Sequence, residues 1–159
     1  MLRNFMKIIE TIPASLIKVF DETESMIIKQ LWMSAFCKNK QGINTKEFLW
    51  HIFSSGRYPS IAGNKARLEY SKHFAARYFV MPNNNGPVIS VQLLPESANY
   101  SDYYVSPSNL AWTMAFTHEE GWLGPYFALH TEYQNLNKVN ELHKQKLTEI
   151  EEAKKNGWY

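Results

Sequence analysis

The sequence predicts an α+β fold in one domain spanning residues 1–159. It has an antiparallel sheet of about four to five strands, packed by N-terminal helices and a long C-terminal helix. Three observations predict it. Apolar residues recur at helical spacing before residue 77 and after residue 131, whereas the stretch between is rich in aromatic and β-branched residues. The connections inside that stretch are of hairpin length, which suits antiparallel neighbours. A doubly wound α/β fold needs strands alternating with helices, and residues 77–117 do not supply them.

Each element has a local reason. Leu16 to Phe20 is short and β-rich after Pro13 and reads as an edge strand. Asp21, Glu22 and Thr23 offer helix N-caps with acidic residues in the first turn, where the helix dipole favours them. Ile27, Ile28, Leu31, Trp32, Ala35 and Phe36 then form an apolar stripe at the helical period, ended by residues 38–42. Asn44 or Thr45 can cap a shorter helix, with Glu47 in its first turn and Phe48, Leu49, Ile52 and Phe53 on one side. Ser54-Ser55-Gly56 stops it, and Tyr58-Pro59 marks a loop. Residues 62–76 read as a third helix, with Ala62, Ala66, Tyr70 (or Glu69) and His73 along one line.

The texture changes at residue 77. Arg77 to Met81 and Val88 to Leu94 read as strands joined by the turn Pro82-Asn-Asn-Asn-Gly-Pro87, since Asn and Gly tolerate positive φ. Asp102 to Val105 is a further strand, Ser106 to Asn109 a turn, and Leu110 to Thr117 another strand. In that last run Trp112, Met114 and Phe116 alternate with Ala111, Thr113 and Ala115, giving one bulky face and one small face. Tyr126 to His130 reads as a short strand or a turn into a helix. The terminal helix covers about residues 131–155, with Leu136, Val139, Leu142, Leu147, Ile150 and Ala153 on one face. That stripe is what a helix covering the core requires, and it would also serve a homodimer. Asn156-Gly157 ends the helix.

Composition narrows the function. The chain of 159 residues carries 17 Lys+Arg and 15 Asp+Glu, a net charge of +2, with 9 Phe, 9 Tyr and 5 Trp. So many aromatics argue against disorder, and so small a charge is no mandate for nucleic acid or an anionic membrane. One cysteine, Cys37, allows no disulfide framework and reads as a plain thiol in a reducing cytoplasm. Lys7, Glu10 and Lys18 interrupt the early apolar runs, so neither a signal peptide nor a transmembrane span is expected. The sequon Asn99-Tyr100-Ser101 is read as chance.

No strong catalytic or cofactor motif is present. His118-Glu119-Glu120-Gly121 begins like a zincin helix, but Trp122 stands where the second histidine is needed. No phosphate-cradling glycine loop and no G-x-S-x-G elbow occur. No metal or cofactor is expected. The densest segment is Trp112 to Phe127, which places His118, Glu119 and Glu120 at a strand end. One reading makes His118 a general base oriented by Glu119, with His51 nearby. The other has His118 capping the strand through backbone hydrogen bonds while Trp122 and Tyr126 fill the rim of the core. The helix at 62–77 gathers Lys65, Arg67, Lys72 and Arg77 against Glu69; a solvated face is favoured over a nucleic-acid stripe, and the same patch could instead dock an acidic protein.

The ordered set Leu49-Trp50-His51-Ile52-Phe53-Ser54, Ala62 to Arg67, Tyr78-Phe79-Val80, Asp102 to Val105, Trp112-Thr113, Thr117-His118-Glu119 and Gly124-Pro125-Tyr126-Phe127 resembles a family of small bacterial proteins, domain of unknown function 4275. The resemblance covers about residues 16–128, and it implies no particular activity. It directs attention to Trp50, His51, Trp112, Thr117, His118, Glu119, Pro125 and Tyr126.

The favoured functional expectation is a cytoplasmic protein that binds another protein, an immunity protein neutralising a toxin being its sharper form. Its anchors are Trp122, Tyr103 and Tyr100, with Tyr58 as a further aromatic and Lys65, Arg67 and Lys72 as the charged border. The alternative is a small hydrolase or transferase built on His118, Glu119 and His51.

Overall fold

The computed structural model describes residues 15–38, 48–98, 100–119 and 122–157. Their elements, in chain order, are β1 (Leu16–Val19), α1 (Glu22–Phe36), α2 (His51–Ser54), β2 (Ile61–Ala62), α3 (Asn64–Ser71), β3 (Tyr78–Pro82), β4 (Ile89–Val91), β5 (Tyr103–Pro107), β6 (Trp112–Phe116), β7 (Tyr126–Leu129) and α4 (Tyr133–Lys155). The strands form one sheet in the order β1-β4-β3-β5-β6-β7-β2, and every neighbouring pair is antiparallel. The fold is α+β.

The sheet has seven strands, not the four to five expected. The surplus lies at the β7 side. β7 reads ambiguously in sequence, and β2 is two residues long, too short to show alternation. Ala62 belongs to β2 and not to a helix beginning there. Gly63, at φ 67°, turns the chain out of the strand, and α3 runs only from Asn64 to Ser71. The expected caps Asn44, Thr45 and Glu47, the residues before Ser15, and the sequon at Asn99 lie outside the described residues.

Asp21 caps α1 as its position suggests. Its Oδ1 accepts from Glu24 N at 2.7 Å, and Glu24 Oε1 accepts from Asp21 N at 3.5 Å, a capping box. The Glu24 amide favours the ionised form and holds the Asp21 carboxyl below its ordinary value.

Helices cover both faces of the sheet. Ala66 and Tyr70 of α3, with Tyr133 and Leu136 of α4, pack on the bulky face formed by Trp112, Met114, Phe116 and Phe127. Ile28, Trp32 and Phe36 of α1, with Ile52 and Phe53 of α2, pack on the opposite face with Ala115, Tyr126 and Ala128. The small face of β6 makes room for the largest side chain of α1. Trp32 is buried, and its Nε1 donates to Thr113 Oγ1 at 2.9 Å. Thr113 Oγ1 also accepts from Ser106 Oγ at 2.8 Å and donates to Val105 O at 3.3 Å, so the buried hydroxyl is fully used. Two of the six stripe residues face outward, because Ile27 and Leu31 lie one step round the wheel from Ile28 and Trp32 and are exposed. Cys37 is buried at the C-cap of α1.

α4 departs from the core-covering role. Tyr133 and Leu136 touch the core, and Asn140 is tied to Asn109 at 3.3 and 3.4 Å. From residue 141 onward the side chains are exposed, apart from half-buried Ala153. No helix among the described residues is long and apolar enough to cross a membrane.

Trp32→Ala is expected to lower unfolding free energy by about 3–5 kcal/mol, the range for a buried large-to-small change. Ile27→Ala on the outer side of the same helix should cost less than about 1 kcal/mol. Urea denaturation of the two variants checks the assignment of the buried side.

Candidate functional site

The site grows from the register of the β5–β6 hairpin. Tyr103 pairs with Phe116, and Tyr104 with Ala115. One step further out, that register sets Asp102 across from Thr117 and beside His118. Asp102 is buried, yet its carboxylate collects three donors. Trp50 Nε1 donates to Oδ1 at 2.9 Å, and the His118 amide donates to Oδ1 at 3.0 Å. His118 Nδ1 lies 2.9 Å from Oδ1 and 3.0 Å from Oδ2. A carboxylate only accepts, so Nδ1 carries a proton, and in the neutral ring Nε2 holds the lone pair.

Nε2 faces the partly exposed side of the ring, 3.4 Å from Glu119 Oε1. The hydrogen bond to Asp102 raises the His118 pKa above its ordinary 6.5; desolvation opposes this, and the charges of Asp102 and Glu119 add to it. The orienting carboxylate is therefore Asp102, while Glu119 stands at the far nitrogen. His118 does not cap the strand with its ring; its own amide is the group that is capped.

Aromatic rings wall the site. Phe48 lies 5.0 Å and Trp50 6.2 Å from the imidazole, centroid to centroid, and Trp50 stacks with Phe48 at 5.4 Å and Tyr126 at 6.3 Å. Tyr104 sets this wall in place. Its hydroxyl accepts from Trp50 N at 2.9 Å and donates to Asn83 Oδ1 at 2.8 Å, and Asn83 Oδ1 accepts from Leu49 N at 3.0 Å. Burial pushes the Tyr104 hydroxyl pKa well up, so it stays a donor.

The loop from β6 to β7 is tied at both ends. Thr117 Oγ1 donates to Leu123 O, and Glu119 O accepts from Trp122 N at 2.9 Å and Leu123 N at 2.7 Å. Gly124 has φ 102°, and a Cβ there would meet Thr117 Oγ1 at 2.9 Å, so the position needs glycine twice over. On this loop Trp122 is 84% exposed and does not fill the core rim, whereas Tyr126 is buried.

The other expected residues divide. His51 packs on Trp50 at 4.4 Å and Phe48 at 5.9 Å and approaches Ser54 Oγ at 3.3 Å; both imidazoles border the same aromatic wall, but no hydrogen bond joins them among the described residues. Tyr103 is buried and not an exposed anchor: it stacks on Phe116 at 4.6 Å, and its hydroxyl accepts from Ala98 N at 3.0 Å. Tyr100 is half-buried, and burial lifts its hydroxyl to about 12. Tyr58 is likewise half-buried and donates to Leu129 O. On α3 and its C-cap, Lys65 and Lys72 are exposed, Arg67 is half-buried, and Lys72 lies 3.6 Å from Glu69. Among the described residues, no three His, Cys, Asp or Glu side chains are grouped to hold a metal.

Sequence reasoning missed Asp102 as a site residue. The expected turn at 106–109 would set 102 opposite 113; β5 instead runs on to Pro107 and β6 begins at Trp112, and only that register sets 102 opposite 117. An acid at the mouth of an otherwise apolar hairpin needs donors, and the residue after Thr117 is a histidine.

The profile of a family described as Domain of unknown function (DUF4275) matches residues 6–127, more than half of the chain. No curated protein and no solved structure matches it.

A raised pKa means that the fold favours protonated His118. Its contribution to stability is then present below about pH 6.5 and is lost as pH rises through the higher folded value. NMR titration should give His118 a pKa above 6.5, and Asp102→Asn should lower it. An unchanged value in the variant would remove Asp102 as the cause.

Proposed function

Because the chain belongs to the DUF4275 family, whose description assigns no activity, we propose its function from the site: it binds a protein partner through the β6–β7 loop. One observation carries this reading. Trp122 stands almost fully in water on a loop whose ends are tied by hydrogen bonds. An exposed indole gains by entering a partner's pocket, and a restrained loop loses little entropy on doing so. His118 and Glu119 supply a polar border beside it.

Positive charge adjoins that border. Gly63 N donates to Pro125 O at 2.9 Å, so the start of α3, with Lys65 and Arg67, abuts the end of the loop. An acidic patch on the partner complements it. In the sharper form of the proposal the protein is cytoplasmic, and its partner is a bacterial toxin that it neutralises by covering it.

The Asp102–His118 pair favours a second reading, a small hydrolase or transferase. With Nδ1 held by Asp102, Nε2 is placed to take a proton from a water or a substrate hydroxyl, and the carboxylate stabilises the imidazolium that forms. Glu119 at Nε2 then tunes how readily that proton leaves.

Three variants separate the readings. Affinity capture from the source organism should retain a stoichiometric partner with the wild-type protein, and Trp122→Ala should weaken that complex by about 30-fold, a typical aromatic hot-spot loss. Equal retention by both proteins would dismiss the binding surface. A panel of ester, amide and phosphoester substrates tests the enzyme. Turnover abolished by His118→Gln and Asp102→Asn but unaffected by Trp122→Ala would favour the second reading.

A further inference from the structure

We propose that the cavity beside the short edge strand β2 binds a small organic amine in its protonated form, an ammonium carried on an apolar or aromatic body. The cavity lies at the Leu129 end of β7, whereas the β6–β7 loop joins Phe116 to Tyr126 at the other end. The two sites are separate, and neither depends on the other.

The cavity follows from where β2 stops. Ile61 pairs with Phe127 and Ala62 with Tyr126. Carried on, that register would set Pro59 opposite Leu129, and a proline has no N–H to give to the ladder. The Tyr58 hydroxyl donates to Leu129 O in its place. Beyond Phe127, β7 has a strand partner on the β6 side alone among the described residues. Between this strand end, α3 and the start of α4 lies a cavity of about 650 Å³, within the size range of small-molecule sites.

Its lining selects the ligand. Tyr58, Ile61, Phe127 and Tyr133 give it aromatic and aliphatic walls, and the imidazole of His73 packs on Phe127 at 4.9 Å. His73 Nδ1 lies 2.7 Å from Glu69 O. A carbonyl only accepts, so Nδ1 donates, and Nε2 of the neutral ring accepts from the Tyr133 hydroxyl at 3.1 Å. The Tyr133 oxygen then has lone pairs to offer and no proton. Burial, and after it the charges of Glu141 and Glu69, push the Tyr133 pKa up, so the hydroxyl keeps the proton it gives to His73. Glu69 is the one carboxylate lining the cavity among the described residues, and no lysine or arginine lines it. Glu69 Oε1 lies 3.6 Å from Lys72 Nζ, a long contact between exposed side chains that competes weakly, and Oε2 has no partner among the described residues.

A protonated amine answers each of these features. Its N–H groups donate to the Glu69 carboxylate, with the Tyr133 oxygen as a further acceptor. Its charge is drawn to aromatic faces, and its apolar body to the walls. A carboxylate or phosphate ligand would meet an anion and lone pairs instead.

NMR titration of the full chain tests this with two probes, 2-phenylethylammonium and 3-phenylpropionate, which share the ring and the two-carbon chain and differ in the sign of charge. The cation should shift the amides of Ile61, Glu69, His73, Phe127 and Leu129 in a saturable way, and the anion should bind about tenfold more weakly or not at all. Glu69→Gln should weaken binding of the cation by about tenfold, and Glu69→Lys should reverse the preference. The amide spectrum of each variant shows whether it is folded, and the comparison of the two probes on the wild type stands without any variant. Trp122→Ala should leave cation binding unchanged, so the cavity and the loop reading fail separately. A cation that leaves these amides unmoved overturns the proposal. So does an anion that binds as tightly, or a Glu69→Gln protein that holds the cation as well as the wild type.

Discussion

A buried carboxylate is the constraint on which the rest of the site depends. An ionised Asp102 removed from water must be compensated by donors, and an uncompensated charge there would be strongly destabilising. The donors come from two distant parts of the chain, the Trp50 indole and the backbone and ring of His118. Meeting that demand fixes the exit of β6, the tautomer of His118 and the position of the segment before α2. Trp50, once held, brings Phe48 and His51 against its ring. Tyr104, two residues further on in β5, binds the backbone of the same segment, so alternate positions on one side of the chain both anchor it.

The sheet imposes a second constraint through the alternation in β6. Large residues on one face and small ones on the other decide which helices each face accepts. A tryptophan from α1 fits above Thr113 and Ala115 because little side-chain volume stands in its way, and the threonine hydroxyl satisfies the indole nitrogen. On the other face Trp112 and Phe127 already fill the space, and α3 contributes only Ala66 and Tyr70. The two helical layers thus differ in kind: one inserts large residues, and the other covers them.

Hydrogen bonds on either side of an exposed group are what distinguish Trp122 from the outward residues of α1. Ile27 and Leu31 are exposed as neighbours on one helix surface. Trp122 stands on a loop whose turn needs a positive-φ glycine, closed by a threonine hydroxyl and two amides. At the opposite end of the hairpin α4 leaves the body: Leu136 packs on the core and His143 stacks on Phe74, while Val139, Leu142, Leu147 and Ile150 are exposed. The protein therefore presents two different surfaces, an aromatic loop beside an acid–base pair and an amphipathic arm, separated by the length of the sheet strands.

Much of this was readable from spacing. The N-cap at Asp21, the inward side of α1 at Ile28, Trp32 and Phe36, the Pro82–Pro87 hairpin and the alternation in β6 follow from periods of 3.6 and 2 and from turn chemistry, which act within a few residues. His118 and Glu119 stood out for the same local reason, an acid–base pair at a strand end. The role of Asp102, its bond to Trp50 and the burial of Tyr103 did not, because each depends on partners more than ten residues away that only the tertiary fold brings near. β2 was unreadable because two residues carry no period, and its place at the edge is set by β7. The fate of α4 was open for a related reason. An amphipathic stripe records that a helix wants a partner, while the path of the chain after β7 decides that most of this one points away from the core.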